Sequence, residues 1–251
     1  MEYTRLSESV KIKTISETAT EGVFEIDGLY SGYGLTVGNA LRRVLLSSLP
    51  GACVTQIKIK NVKHEFTTID GVMEDIVEIA LNMKKVRFAF HADEPQVLTL
   101  DVKGEKVVTA GDIKANAQVE VINPESHIAT LTEKKTEFSM EITVEKGLGY
   151  VPVEVRKVEK LPVGVIAIDA IFTPVTNVNF VVENMRVGER TDFNKIKLTI
   201  ETDGSTKPSL ALHKASNILK DHFSKVAEIA DVTVETEDEE GEEEPKKKGK
   251  K

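Results

Sequence analysis

The sequence predicts an α+β protein in two domains, one discontinuous in the chain and one inserted into it. Three observations point there. Helical and strand-like stretches are not shuffled in β-α-β fashion, which argues against a parallel doubly wound sheet. From Val86 to Pro174 nearly every stretch reads as strand and turn. That block lies between two segments that each combine strands with a helix, so the two chain ends are expected to share one core. The predicted division is residues 1–50 and 175–232 for the helix-plus-sheet domain, 51–174 for the mostly-β insert, and 233–251 for a disordered charged tail. The chain has 251 residues, enough for two modest domains.

The elements follow in order. Val10, Ile12 and Ile15 suggest a broken strand, and GVFEIDGLY (22–30) alternates like a second one. Gly32 and Gly34 predict a flexible turn before a helix over 36–48. On that helix Val37, Ala40, Leu41, Val44, Leu45 and Ser48 form one stripe at i, i+3, i+4, i+7 spacing, and Pro50-Gly51 stops it. Asn39, Arg42, Arg43 and Leu46 form a second stripe on the other side. VTQIKIKNV (54–62) alternates as a strand. DGVMEDIVEIALNMKK (70–85) predicts a helix with Asp70, Glu74 and Asp75 near its start and Lys84-Lys85 at its end, the signs the helix dipole favours. VLTLDVKG and EFSMEITVEKG are strands, with Phe138, Met140, Ile142 and Val144 on one face. VGVIAIDAIFTPV (163–175) reads as a strand buried on both faces, or as an apolar edge that awaits a partner. VNFVVENMRV and KIKLTIETDG are two more strands, the second ending in an Asp-Gly turn. Pro208 opens a helix to about Asp231 with a stripe of Ala215, Ile218, Leu219, His222, Phe223, Val226 and Ala230.

Composition narrows the function. The formal charge is −8, of which the eight acids and five lysines after Thr233 supply −3. A mildly acidic body does not suit a protein that grips nucleic acid over its whole surface. KKKGKK at the end is basic, but the acidic block beside it competes for those lysines, and aromatics are 5 %, too few for a stacking platform. No apolar run is long enough to span a bilayer, and MEYTRLSESVKIK lacks the apolar core of a secretion signal, so a soluble cytoplasmic protein is expected. Cys53 is the only cysteine and sits between Ala52 and Val54, as a small buried hydrophobe would.

Catalytic chemistry is faint. Gly32, Gly34 and Gly38 fall at G-x-G-x-x-x-G, off the dinucleotide spacing, and the following strand ends in Asn-Val-Lys rather than an acid. None of His64, His91, His127, His213 and His222 stands at zinc-site spacing. There is no nucleophile elbow and no P-loop. The Glu74-Asp75 pair reads as helix-start charge. What remains is surface. Arg42 and Arg43 with Leu46 have the composition of an interface hot spot, because the guanidinium pairs while its stem packs. They read equally as a solvated basic face with one stray leucine. A nucleic-acid factor acting through the lysine tail and an enzyme using the glycine loop stand as alternatives.

GYGLTVGNALRRVLLSSLPGACVT closely resembles the α subunit of bacterial DNA-dependent RNA polymerase. The resemblance continues in unbroken order through HEFTTIDGVMEDIVEIALNMKKV, KGLGYVPVE, PVGVIAIDAIFTPV and RVGERTDFNKIKLTIETDG, from about residue 5 to 232. It implies a non-catalytic subunit of a nucleotidyltransferase complex. The discontinuous domain makes a homodimer, and the dimer is the scaffold on which the β and β′ subunits assemble, with ω and sigma factor in the full enzyme. Catalysis and Mg²⁺ belong to those partners, and no cofactor or metal is implied on this chain. The resemblance assigns Arg43, with Asn39, Arg42 and Leu46 around it, and Lys84 to contact with β. It assigns Ile168 and Lys195 to β′. It assigns helices 36–48 and 208–231 to the dimer, through Val37, Leu41, Val44, Leu45, Ile218, Leu219, His222, Phe223 and Val226. The family's promoter-binding C-terminal domain has no counterpart in these residues, so DNA is expected to be met only through the complex, and no membrane is implied.

Overall fold

The computed structural model describes residues 9–156 and 162–231. The charged segment after Val232 and the first eight residues lie outside the described residues. In chain order the elements begin with β1 (Lys11–Glu17), β2 (Glu21–Leu29), α1 (Tyr33–Ser47), β3 (Pro50–Ile59) and α2 (Ile76–Met83). There follow β4 (Phe88–Phe90), β5 (Gln96–Lys103), β6 (Lys106–Thr109), β7 (Ile113–Lys114), β8 (Val119–Val121) and β9 (His127–Leu131). The remainder are β10 (Glu137–Leu148), β11 (Tyr150–Val151), β12 (Val165–Ala167), β13 (Ala170–Ile171), β14 (Val175–Val187), β15 (Arg190–Thr202) and α3 (Pro208–Ala227), closed by a 3₁₀ turn over Glu228–Asp231. The fold is α+β.

Two apolar cores organise it. The first sheet has the order β1-β2-β15-β14, all antiparallel, so the two chain ends share one sheet. Phe24, Ile26, Ile196, Leu198 and Ile200 project from one face and pack with Leu41 and Leu45 of α1 and Ala211, Leu212 and Ala215 of α3. The second sheet has the order β12-β3-β10-β5-β7. There Phe138, Met140, Ile142 and Val144 share the buried face, as their alternation predicts, and Ile76, Ile79 and Met83 of α2 join their core. Each such side chain removed from water contributes about 1.5–3 kcal/mol before chain entropy is counted.

Several features differ from the sequence reading. The glycine run is not a flexible loop throughout. Gly32 takes φ 85, but α1 already begins at Tyr33, and Gly34 and Gly38 are buried inside it. They are packing residues. A Cβ at Gly34 would come within 2.6 Å of Val182, and one at Gly38 within 2.6 Å of the Phe180 ring. The helix predicted over 70–85 is shorter, because Asp75 ends the approach to it by accepting the Glu78 N–H at 2.7 Å. Glu74 is not a helix-start charge. It is buried and accepts from the Thr130 N–H at 2.6 Å, the Thr130 hydroxyl at 2.9 Å and His127 Nε2 at 2.8 Å. The apolar run 163–175 is two short strands on different sheets, β12 on β3 and β13 on β11. It breaks at Ile168-Asp169, where the Arg156 guanidinium donates to the Ile168 and Thr55 carbonyls and the Asp169 carboxylate accepts the Val153 N–H. Finally, β14 and β15 are longer than predicted and join through a tight turn at Gly188, φ 61.

Candidate interaction surfaces

The helix α1 lies against the first sheet with its small residues inward, which turns the opposite stripe to solvent. Asn39, Arg42, Arg43 and Leu46 are all exposed. Arg42 is held in place. Its guanidinium lies 5.5 Å from the centroid of the Phe180 ring, and its Nη2 donates to Asn39 Oδ1 at 3.1 Å. Arg43 is different. Among the described residues its guanidinium makes no hydrogen bond and no ion pair. An arginine with no partner among the described residues, beside an exposed leucine, can take a carboxylate from another chain while its stem packs.

The other stripe of α1 is divided. Val37 and Val44 are half-buried and keep some surface. Leu41 and Leu45 do not: at 5 % and 0 % exposure they belong to the chain's own core. Their assignment to a contact between copies is corrected accordingly, since a side chain already enclosed has no area left to bury. On α3 and into the 3₁₀ turn that closes it, Ala215 is enclosed, Ile218 and Leu219 are half-buried, and every residue from Lys220 to Ile229 is exposed. Phe223 and Val226 are each 65 % exposed and Ile229 is 72 % exposed. His222 is exposed as well, with Nδ1 at 2.7 Å from the Ile218 carbonyl. The far half of α3 thus carries an apolar stripe that the described residues leave open, and Ile229 continues it into the closing 3₁₀ turn. Ile229 was missed by the sequence reading, though it falls three residues after Val226 on the same helical face.

Lys84 stands at the C-terminal end of α2, where its ammonium meets Asp169 at 3.0 Å. Lys84 is also the main reason the Asp169 carboxyl is held below the usual range. Both border a groove of about 390 Å³ lined by Val77, Leu81, Val153 and Val165. Val77 and Leu81 are exposed apolar residues on the outer side of α2, which the sequence reading did not single out. Ile168 lines the groove's floor but is only 3 % exposed and packs in the second core, so its side chain is not free for a direct contact. Lys195 faces away from the helices. Its ammonium is 2.5 Å from Glu25, which raises it above the ordinary lysine value, and 4.0 Å from Asp27. Lys13 reaches the same carboxylates, at 2.9 Å from Asp27, so Lys195 belongs to a charge cluster on the sheet's outer face.

Cys53 is enclosed with Ala170 and Phe172, and burial pushes its thiol up to about 12 despite a backbone hydrogen bond at Ile171. Among the described residues no three His, Cys, Asp or Glu side chains converge as a metal site would need, and no helix is long and apolar enough to cross a membrane.

The outward-facing helix stripes and the apolar groove are the surface features of an interaction module. Residues 57–173 match the family described as the RNA polymerase Rpb3/RpoA insert domain. The DNA-directed RNA polymerase subunit alpha of Symbiobacterium thermophilum is 47 % identical over 241 residues, covering 93 % of this chain and 76 % of that protein. The subunit alpha of Alkaliphilus oremlandii is 47 % identical over 222 residues, 88 % of this chain and 70 % of that protein. That of Roseiflexus castenholzii is 47 % identical over 227 residues, 90 % of this chain and 70 % of that protein. The chain belongs to the family of DNA-directed RNA polymerase alpha subunits.

Proposed function

We propose that this chain is a non-catalytic assembly subunit of RNA polymerase, which dimerises and presents separate surfaces to the β and β′ subunits. The observation that carries the reading is the pair of outward-facing helix surfaces on one sheet. Arg43, with no partner among the described residues, together with Leu46 on α1 is suited to a large acidic-and-apolar partner, which we take to be β. The bare stripe of Phe223 and Val226 on α3, continued by Ile229 in the closing 3₁₀ turn, is suited to a second copy of the chain, with Val37, Val44, Ile218 and Leu219 at its margin. Lys84 and the groove beside α2 extend the surface offered to β. The charge cluster around Lys195 is the face we assign to β′, as the resemblance of that residue suggests. On this reading nucleotidyl transfer and its metal ions belong to β and β′, and the chain holds no cofactor of its own. It contacts DNA only through the complex, in the cytoplasm, with ω and sigma factor completing the enzyme.

The discriminating experiment is co-purification of β with Arg43→Ala. The expected result is a dimer of unchanged mass that captures β at least tenfold less well, since a central interface arginine is worth about 2 kcal/mol or more. Capture at the parent's yield would refute the assignment of this face.

A further inference from the structure

Helix α1 begins without a side-chain cap from its own neighbouring residues. Gly32 occupies the N-cap position and brings no side chain, and the first turn holds no acidic residue. The leading N–H groups of a helix need acceptors from elsewhere. The Tyr33 N–H finds the Tyr30 carbonyl at 3.0 Å, but for Gly32 and Gly34 on either side of it the acceptor comes from about 160 residues further along the chain. Asn194 Oδ1 of β15 accepts the Gly32 N–H at 2.8 Å and the Gly34 N–H at 3.2 Å. Asn194 is 8 % exposed, and its Nδ2 donates to Asn184 Oδ1 on β14 at 3.3 Å, which fixes the amide's orientation. The contact is close: a Cβ at Gly34 would lie 3.0 Å from the Asn194 Cβ. One turn further along α1, Phe180 of β14 presses against Gly38 and stacks beneath Arg42. Apolar packing alone leaves a helix free to rotate and slide by small amounts, whereas two hydrogen bonds to defined N–H groups set one rotation.

We propose that Asn194 is a positioning residue for partner capture: by capping α1 from β15 it sets the rotation of the helix and so the direction in which Arg43 and Leu46 face. The proposal rests on the reading of that face as the β contact. It is separable from mere stabilisation, because what matters is the acceptor oxygen and not the bulk at position 194. An aspartate there keeps the acceptor and places a negative charge at the helix N-terminus, where it is favourable. The Asn184 amide can turn to donate to it.

The test uses the full chain. Asn194→Leu, Asn194→Asp, Asn184→Ala and Arg43→Ala are each titrated with purified β. Dimer mass and amide exchange over residues 33–38 are measured on the same samples. Asn194→Leu is expected to remain dimeric, to capture β about fivefold to tenfold more weakly and to exchange faster over 33–38, the effect of a lost cap. Asn194→Asp should match the parent within about twofold, and Asn184→Ala should fall between them. Parental capture by a folded Asn194→Leu overturns the proposal, as does an Asn194→Asp as weak as Asn194→Leu. Should Asn194→Leu fail to fold, parental exchange in the exposed Asn184→Ala together with weak capture by Asn194→Asp overturns it. Parental capture by Arg43→Ala sinks the reading of the β face instead. The cap is then judged on exchange alone, and unchanged protection of 33–38 in Asn194→Leu, or in Asn184→Ala where that variant does not fold, overturns it.

Discussion

Replacing Glu74 by leucine tests how the α2 region is held. Glu74 lies where the chain from Gly71 to Asp75 runs beside β9. Its neighbours there are clipped by the Met73 N–H to the Thr130 carbonyl at 3.0 Å and the Thr132 N–H to the Gly71 carbonyl at 2.8 Å. The carboxylate closes the clip with three hydrogen bonds to Thr130 and His127. Leucine keeps the bulk and removes every acceptor. His127, at 43 % side-chain exposure, recovers its bond from water and adds little. The Thr130 N–H, flanked by the fully buried Ala129 and Leu131, cannot, and an orphaned buried donor costs about 1–3 kcal/mol. With a partial loss at the Thr130 hydroxyl the total is about 2–3 kcal/mol, or roughly 5–10 °C in Tm for a chain of this size. Acid provides a second readout. Burial pushes the Glu74 carboxyl up, but the bonds from the Thr130 N–H, His127 and the Thr130 hydroxyl outweigh it and hold the group below the usual value. Its contribution is therefore present above the unfolded-state value of about 4.3 and lost as the pH falls through the lower, folded-state value. Denaturant melts should show the full gap between parent and Glu74→Leu at neutral pH and a shrinking one below about pH 4. A melting difference under about 1 °C at neutral pH, or a gap that widens in acid, would refute the reasoning.

Two further outcomes are expected. Phe223→Asp with Val226→Asp should halve the mass found by light scattering without changing the helical signal, because both side chains are exposed in the single chain; an unchanged mass would remove α3 from the contact between copies. Cys53 should resist a thiol reagent at pH 8 in the native state and react fully in denaturant, because burial holds its thiol near about 12; rapid native labelling would show that the pocket around Phe172 opens.

Much of the fold could be read without coordinates. The period-two runs at 22–30 and 137–148, the stops at Pro50-Gly51 and the proline opening α3 are all local signals, and the strands and helices stand where those signals place them. So were the outward stripe of Asn39, Arg42, Arg43 and Leu46 and the apolar stripe of α3, because a helix repeats its faces at a spacing the sequence displays. The errors share one cause. Gly34 signalled a loop by residue type, but its role, like that of Gly38 further along the helix, is to let α1 approach Val182 and Phe180, which lie far away in the chain. Glu74 resembled a dipole charge until β9 supplied Thr130 and His127. Leu41, Leu45 and Ile168 looked available as partner contacts, yet the chain's own sheets enclose them.

Hydrophobic period, turn residues and helix ends depend on neighbours within a few positions, so a linear reading recovers where the elements lie and which stripes they carry. Whether a stripe is covered depends on segments far apart in the chain, such as Asn194 on Gly34 across 160 positions or Thr130 of β9 on Glu74 across 56. Those meetings are set by how two cores close against solvent, and they leave Arg43 and Phe223 open while Leu45 and Ile168 are sealed.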